Sequence, residues 1–79
     1  MQYFVRAREK HEDGAKRIYP ELICSGLDKA RDEAKRLVLE SDRARMLEAD
    51  ACFRKGAEVR TKYRCWIDNQ GTLQERALA

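Results

Sequence analysis

Apolar runs, proline, histidine and paired cysteines are all scarce in this sequence, and each shortage argues against a class of protein. No segment approaches the roughly 20 consecutive apolar residues of a membrane-spanning helix. The amino terminus, Met1-Gln2-Tyr3-Phe4-Val5-Arg6, turns charged before any apolar stretch long enough for a signal-peptide core. A cytoplasmic protein without membrane association is the expectation. The three cysteines, Cys24, Cys52 and Cys65, are an odd number with no close pair, and the single histidine, His11, is distant in sequence from all of them. That spacing fits neither a disulfide framework nor a zinc site, so reduced structural thiols and no cofactor are expected. Four scattered glycines do not make a phosphate-cradling loop. The acidic residues never gather into a run, which argues against mimicry of a DNA phosphate backbone.

What is present is a dense mixture of apolar and charged residues. Hydrophobic residues make up 43% and charged residues 39% of the 79, enough apolar material to fold and enough charge to cover the surface. One domain of this size builds one modest core, which supplies roughly 3–5 kcal/mol. A monomer or weak dimer, or docking on a larger partner, would follow. The net charge of +3 permits nucleic acid or acidic protein partners without demanding either. Arginine outnumbers lysine eleven to six; it suits bidentate contacts with carboxylate or phosphate, although a GC-rich genome produces the same bias.

Residues 2 to 9 alternate, with Tyr3, Val5 and Ala7 on one face and Phe4, Arg6 and Arg8 on the other, as in a strand with one face on the core. His11-Glu12-Asp13-Gly14 reads as a turn, and Lys16 to Cys24 as a second strand carrying Ile18, Leu22 and Ile23. Pro20 removes a ladder donor, so that strand belongs at a sheet edge or contains a bulge. Ser25 followed by Asp28 resembles a capping box that opens a helix. Leu27, Ala30, Ala34, Leu37 and Val38 then recur at helical spacing, to an end near Glu40.

Residues 43 to 54 favour helix by propensity, yet pairing arithmetic favours a strand. With Lys55-Gly56-Ala57 as a three-residue hairpin loop, Phe53 faces Val59, Ala51 faces Thr61, Ala49 faces Tyr63 and Leu47 faces Cys65. The same register sets Arg54 against Glu58, Asp50 against Lys62 and Glu48 against Arg64, with Met46 opposite Trp66. Residues 58 to 67 give the clearest alternation in the chain and read as a central strand. Asp68-Asn69-Gln70-Gly71 reads as a hairpin turn with Gly71 left-handed, so that Ile67 faces Leu73 in a last strand from Thr72 to about Ala77. The order is therefore β-β-α-β-β-β, an α+β fold with an antiparallel sheet of four to five strands and one helix on one face.

Catalytic material is poor. His11 falls in a turn, Ser25 is better used as a helix cap, and the acidic residues fall on solvent faces or turns, apart from Glu75 in the last strand. An enzyme is not expected. The constellation with directional content is the sheet face away from the helix, where Arg60, Lys62, Arg64 and Trp66 project from one strand and Phe4, Arg6 and Arg8 from another. Basic side chains interleaved with aromatics on an open sheet can hold single-stranded nucleic acid, or grip an acidic protein patch with Trp66 as anchor. The plainer reading makes the same residues charge ladders with Glu48, Asp50 and Glu58 on a solvated face.

The strand pair, the helix opened by Ser25-Gly26-Leu27-Asp28-Lys29-Ala30 and continued by Ala34-Lys35-Arg36-Leu37, and the hairpins ending in Trp66-Ile67-Asp68-Asn69-Gln70-Gly71 resemble small phage-encoded inhibitors. In particular they look like the type I anti-CRISPR proteins built as a sheet with one helix. The resemblance covers the whole chain in size and element order. It implies a non-enzymatic protein, in the cytoplasm of a bacterial host cell, that docks on a multisubunit CRISPR surveillance complex and blocks recognition of target DNA. No binding residue is carried over, because that family has no shared motif. Two expectations follow: Arg6, Arg8, Arg60, Lys62, Arg64 and Trp66 bind a protein complex, or the same residues form a nucleic-acid-binding module.

Overall fold

The alternation read in the first nine residues produces β1 (Gln2–Lys10), a strand that the rest of the chain builds on from both sides. The computed structural model describes residues 1–11, 14, 16–42 and 46–78. Glu12 and Asp13 of the expected first turn, and Arg43, Ala44 and Arg45 at the start of the expected third strand, lie outside the described residues. On one side β1 pairs with β2 (Lys16–Ile18) and β3 (Leu22–Cys24), and on the other with β4 (Leu47–Lys55), always antiparallel. The hairpin strands β5 (Glu58–Ile67) and β6 (Leu73–Ala77) complete the sheet, in the order β2-β1-β4-β5-β6, with β3 beside β2 on the same flank of β1.

The sheet thus has six strands among the described residues, where four to five were expected. Pro20 accounts for the difference. Without an N–H to donate and with φ fixed, it interrupts what reads as one strand between Ile18 and Leu22. Tyr19 still reaches β1 by donating its N–H to the Ala7 carbonyl at 3.0 Å. The interrupted strand lies at the sheet edge, as a proline-bearing strand must.

Helix α1 (Leu27–Glu40) ends where its periodicity fades, but it begins one residue later than expected. Gly26 in extended backbone is the N-cap, its carbonyl accepts the Ala30 N–H at 3.0 Å, and no side chain caps the helix. Ser25, one residue too early, is outside the geometry in which a hydroxyl accepts the orphan amides. Ala30, Ala34 and Val38 form the buried stripe of α1. They pack on Val5, Ala7, Leu47, Ala49, Ala51, Tyr63 and Cys65. Five of these ten core residues are alanines, so the helix backbone sits close to the sheet and the core is thin.

The segment before the central hairpin is a strand, as the pairing argument required, and Met46 enters it with φ at 50°. The register differs from expectation. Lys55 pairs with Glu58, so the loop is the two residues Gly56-Ala57 instead of three. Gly56 has φ 59°, the left-handed value that a type II′ turn needs at its first central position. A second shift falls between Ala51 and Cys52, where Cys52 faces Thr61 but Ala51 faces Tyr63. Lys62 is the extra residue of a β-bulge. The last hairpin forms as read: Gly71 has φ 82°, Ile67 pairs with Leu73, and Asp68 accepts the N–H groups of Gln70 and Thr72 at 2.9 Å each.

No helix of the structure is long and apolar enough to cross a membrane.

Candidate binding face of the sheet

Strand pairing fixes which side chains share the face away from α1. From β1 these are Gln2, Phe4, Arg6, Arg8 and Lys10; from β4, Glu48, Asp50, Cys52 and Arg54; from β5, Val59, Thr61, Arg64 and Trp66; from β6, Gln74 and Arg76. Lys16, Ile18 and Ile23 extend it across the proline-broken edge. Among the described strand residues, seven cations therefore share this face with two carboxylates. The chain as a whole is only +3, so the positive charge is concentrated here. Among the described residues α1 is the only helix, and it packs on the opposite face.

Neither carboxylate is freely exposed on this face: Glu48 is partly buried and Asp50 fully. Asp50 is 0% exposed, yet every oxygen is satisfied. Arg64 donates from Nε to Oδ1 at 2.9 Å, Arg8 donates from its guanidinium to Oδ2 at 3.1 Å, and the Arg6 guanidinium stands 3.6 Å from Oδ2. Glu48 is held by Arg8 and by Lys10, the latter at 3.0 Å. Burial by itself raises the Asp50 pKa, but the hydrogen bonds from Arg64 and Arg8 outweigh it and hold the carboxyl below its ordinary range. Glu48 is likewise lowered, with burial opposed by the hydrogen bond from Lys10 and the nearby Arg8 charge. The ladder read in the sequence exists with one expected rung, Glu48 with Arg64 at 3.7 Å, and two changed ones: Asp50 takes Arg64 and Arg8 in place of Lys62, and Arg54 takes Glu21 and Gln2 in place of Glu58.

Of the residues singled out in the sequence, the structure brings Arg6, Arg8, Arg64 and Trp66 together. It does not bring Arg60 or Lys62. Arg60 faces Phe53, which pairs with Tyr3 on the helix side, and its ion pair is with Glu58 of its own strand. Lys62 sits in the bulge with its ammonium 5.5 Å from the Phe53 ring. The bulge reverses the facing of everything before Tyr63, and nothing in the unbroken alternation of residues 58 to 67 announces it. Phe4 is on the expected face but fully buried, with the Arg54 guanidinium 4.5 Å from its ring centre. Trp66 is half-buried between Glu48 and Gln74, the one tryptophan or tyrosine of the described strands on this face.

Sequence reasoning missed the burial of Asp50, the role of Arg76, and the burial of Glu9 on the helix side. A signal for the first was present: an aspartate centred in Leu47-Glu48-Ala49-Asp50-Ala51-Cys52-Phe53 is a strand-depleted, rarely buried residue among small apolar ones, the setting of a paired internal charge. Arg76 lies directly opposite Arg64 across β5 and β6, and it is exposed.

Among the described residues no three His, Cys, Asp or Glu side chains converge as metal ligands. All three cysteines are free, with Cys52 on the face of Asp50 and Cys65 on the helix side. Burial raises the Cys65 thiol to about 11, which makes it inert. On the helix side Tyr63 donates to Glu75 at 2.7 Å and Lys35 meets the same oxygen at 3.0 Å, an arrangement that ties β6 and α1 to β5. Compared with models of known protein families, with curated proteins and with solved structures, the chain finds no match.

Proposed function

We propose that this chain is a non-enzymatic binding protein that grips a protein partner through the open face of its sheet. On its resemblance in size and element order, the partner is a type I CRISPR surveillance complex that it keeps from recognising target DNA. The observation that carries the binding reading is the charge asymmetry of the sheet: among the described strand residues, seven cations and two carboxylates lie on the face without a helix, with the half-buried Trp66 among them. A cationic surface around one large aromatic suits an acidic protein patch, with the aromatic as the anchor.

Single-stranded nucleic acid would use the same cations, but it also needs successive aromatic faces on which bases stack. Phe4 is buried beneath Arg54, which leaves Trp66 alone for that work. The geometry therefore favours protein over nucleic acid.

Surface-immobilised surveillance complex should bind the chain, and Trp66→Ala should weaken that binding about 30-fold, as loss of a central aromatic anchor does. Arg6→Gln, which keeps a donor for Thr61 but removes charge, should weaken it less. Unchanged affinity in both variants would remove this face from consideration. A response to single-stranded oligonucleotide alone that falls steeply with salt would replace the reading with the nucleic-acid one.

A further inference from the structure

The two edges of the sheet are built differently. The edge of β2 and β3 consists of two three-residue strands separated by Pro20, the interruption by which natural sheets blunt an edge. The edge of β6 is not interrupted in this way: among the described residues it runs for five, Leu73 to Ala77, without proline and without a register shift against β5, and its charges are Glu75 and Arg76. Leu78 donates to Lys62 at 2.9 Å and Asp68 to Thr72 at 3.0 Å. By the alternation of antiparallel pairs, Gln74 and Arg76 then turn their backbone groups toward β5, and Leu73, Glu75 and Ala77 turn theirs outward.

The side chains along this edge are also unbalanced. Arg76 is exposed and stands opposite Arg64, whose charge Asp50 already uses, and like charges directly opposite each other destabilise a sheet. On the helix side the outward-turned residues include the apolar Leu73 and Ala77. A strand added here meets a demand for negative charge on one face and apolar side chains on the other. A second copy of this chain does not meet it, because self-pairing in the register that uses all five residues sets Glu75 opposite Glu75.

We propose that the free edge of β6 accepts an extended acidic segment of the partner protein as an added strand, with a carboxylate beside Arg76. This rests on the binding reading above and names the element of that surface which makes the main-chain contact. Such strand addition takes affinity from backbone hydrogen bonds and specificity from alternate side chains.

The test uses an eight-residue peptide that alternates glutamate with valine, titrated at low salt into the isotope-labelled protein. Hydrogen exchange at the amides of Leu73, Glu75 and Ala77 should slow on binding. Ala77→Pro removes an outward N–H that no bond to β5 needs, and it should weaken the peptide about tenfold while leaving the fold intact. Arg76→Glu should abolish binding, and a lysine–valine peptide should not bind. The inference is overturned by absence of peptide binding, by binding that leaves those amides unprotected and Ala77→Pro unaffected, or by protection of the same amides through self-association. The sheet-face reading fails separately, when both Trp66→Ala and Arg6→Gln leave affinity for the surveillance complex unchanged.

Discussion

The two faces of the sheet solve the same packing problem by opposite means. On the helix side, α1 lies on alanines, and burial of a few larger groups such as Val5, Val38 and Tyr63 makes the core. On the other side no helix is available among the described residues, and the chain buries a charge at the centre of the face, whereas the buried Glu9 of the helix side stands near the end of β1, where the Tyr19 hydroxyl donates to it. Asp50 is as inaccessible as Ala49 beside it, but arginines cover it. A small chain cannot fill two apolar cores, and arginine stems with their planar heads cover a surface that would otherwise need a third layer. The cost is asymmetry of risk, because a buried ion cluster adds little net stability when whole and removes much when broken.

The most direct way to break the comparison is to remove the central charge. Asp50→Ala leaves Arg6, Arg8 and Arg64 facing one another, and urea denaturation should show a loss of about 3–5 kcal/mol, comparable to the whole stability of a domain this size. Replacing Asp50, Arg8 and Arg64 together by leucine and methionines should recover most of it. If Asp50→Ala costs less than about 1 kcal/mol, the cluster behaves as an exposed ladder and the two faces do not differ in kind. The matching change on the helix side is Ala34→Leu, which forces extra volume between α1 and β4 and should cost about 1–3 kcal/mol. A loss equal to that of Asp50→Ala would make the thin core the more fragile of the two.

The same contrast explains what the sequence made legible. Much of the helix side was readable, since its signal is hydrophobic periodicity: Ala30, Ala34 and Val38 in α1, Val5 and Ala7 of β1, and Tyr63 and Cys65 of β5 are where they were expected, while Val59 and Thr61 are not. The last hairpin was readable because Gly71 and Asp68 supply unambiguous turn chemistry. The far face was readable in its composition and not in its pairing. Register there depends on one loop residue and one bulge. A glycine at position 56 is compatible with two- and three-residue loops, and Lys62 leaves no gap in the alternation around it. Each shift moved the charge partners along, so Arg64 stands opposite Asp50 and keeps the expected Glu48 as a 3.7 Å ion-pair neighbour, and Arg60 and Lys62 left the candidate site altogether.

Acid should separate the faces with a smaller effect. Asp50 and Glu48 are both held below their ordinary values of 3.8 and 4.5. A carboxylate with a lowered folded-state pKa contributes stability that is complete above the unfolded value and lost as pH falls through the folded one. Stability should therefore be flat above about pH 5 and decline as pH drops through 4.5 and 3.8 toward the lower folded values. Asp50→Asn should flatten part of that decline while the contribution of half-buried Asp68 and exposed Glu75, also lowered, remains. An Asp50→Asn profile that superimposes on the parent would mean the buried carboxylate is not what acid attacks.

The mildest probe leaves the sequence unchanged, because each face already carries a buried thiol. Cys52 lies beneath the arginine face and Cys65 beneath α1, on adjacent strands, and burial raises the pKa of both. Neither reacts until the structure around it opens. With a thiol reagent at pH 8, Cys24, which is only half-buried, should react first, and the other two should follow slowly at one shared rate. A shared rate means that β4 and β5 open as a unit and that ion cluster and apolar core stand or fall together, as expected when both are layers on the same two strands. If Cys52 reacts well before Cys65, the arginines lift away while the core stays closed. The far face would then be a cover that moves independently, and its exposed underside, Asp50 with Phe4, would become part of what a partner meets.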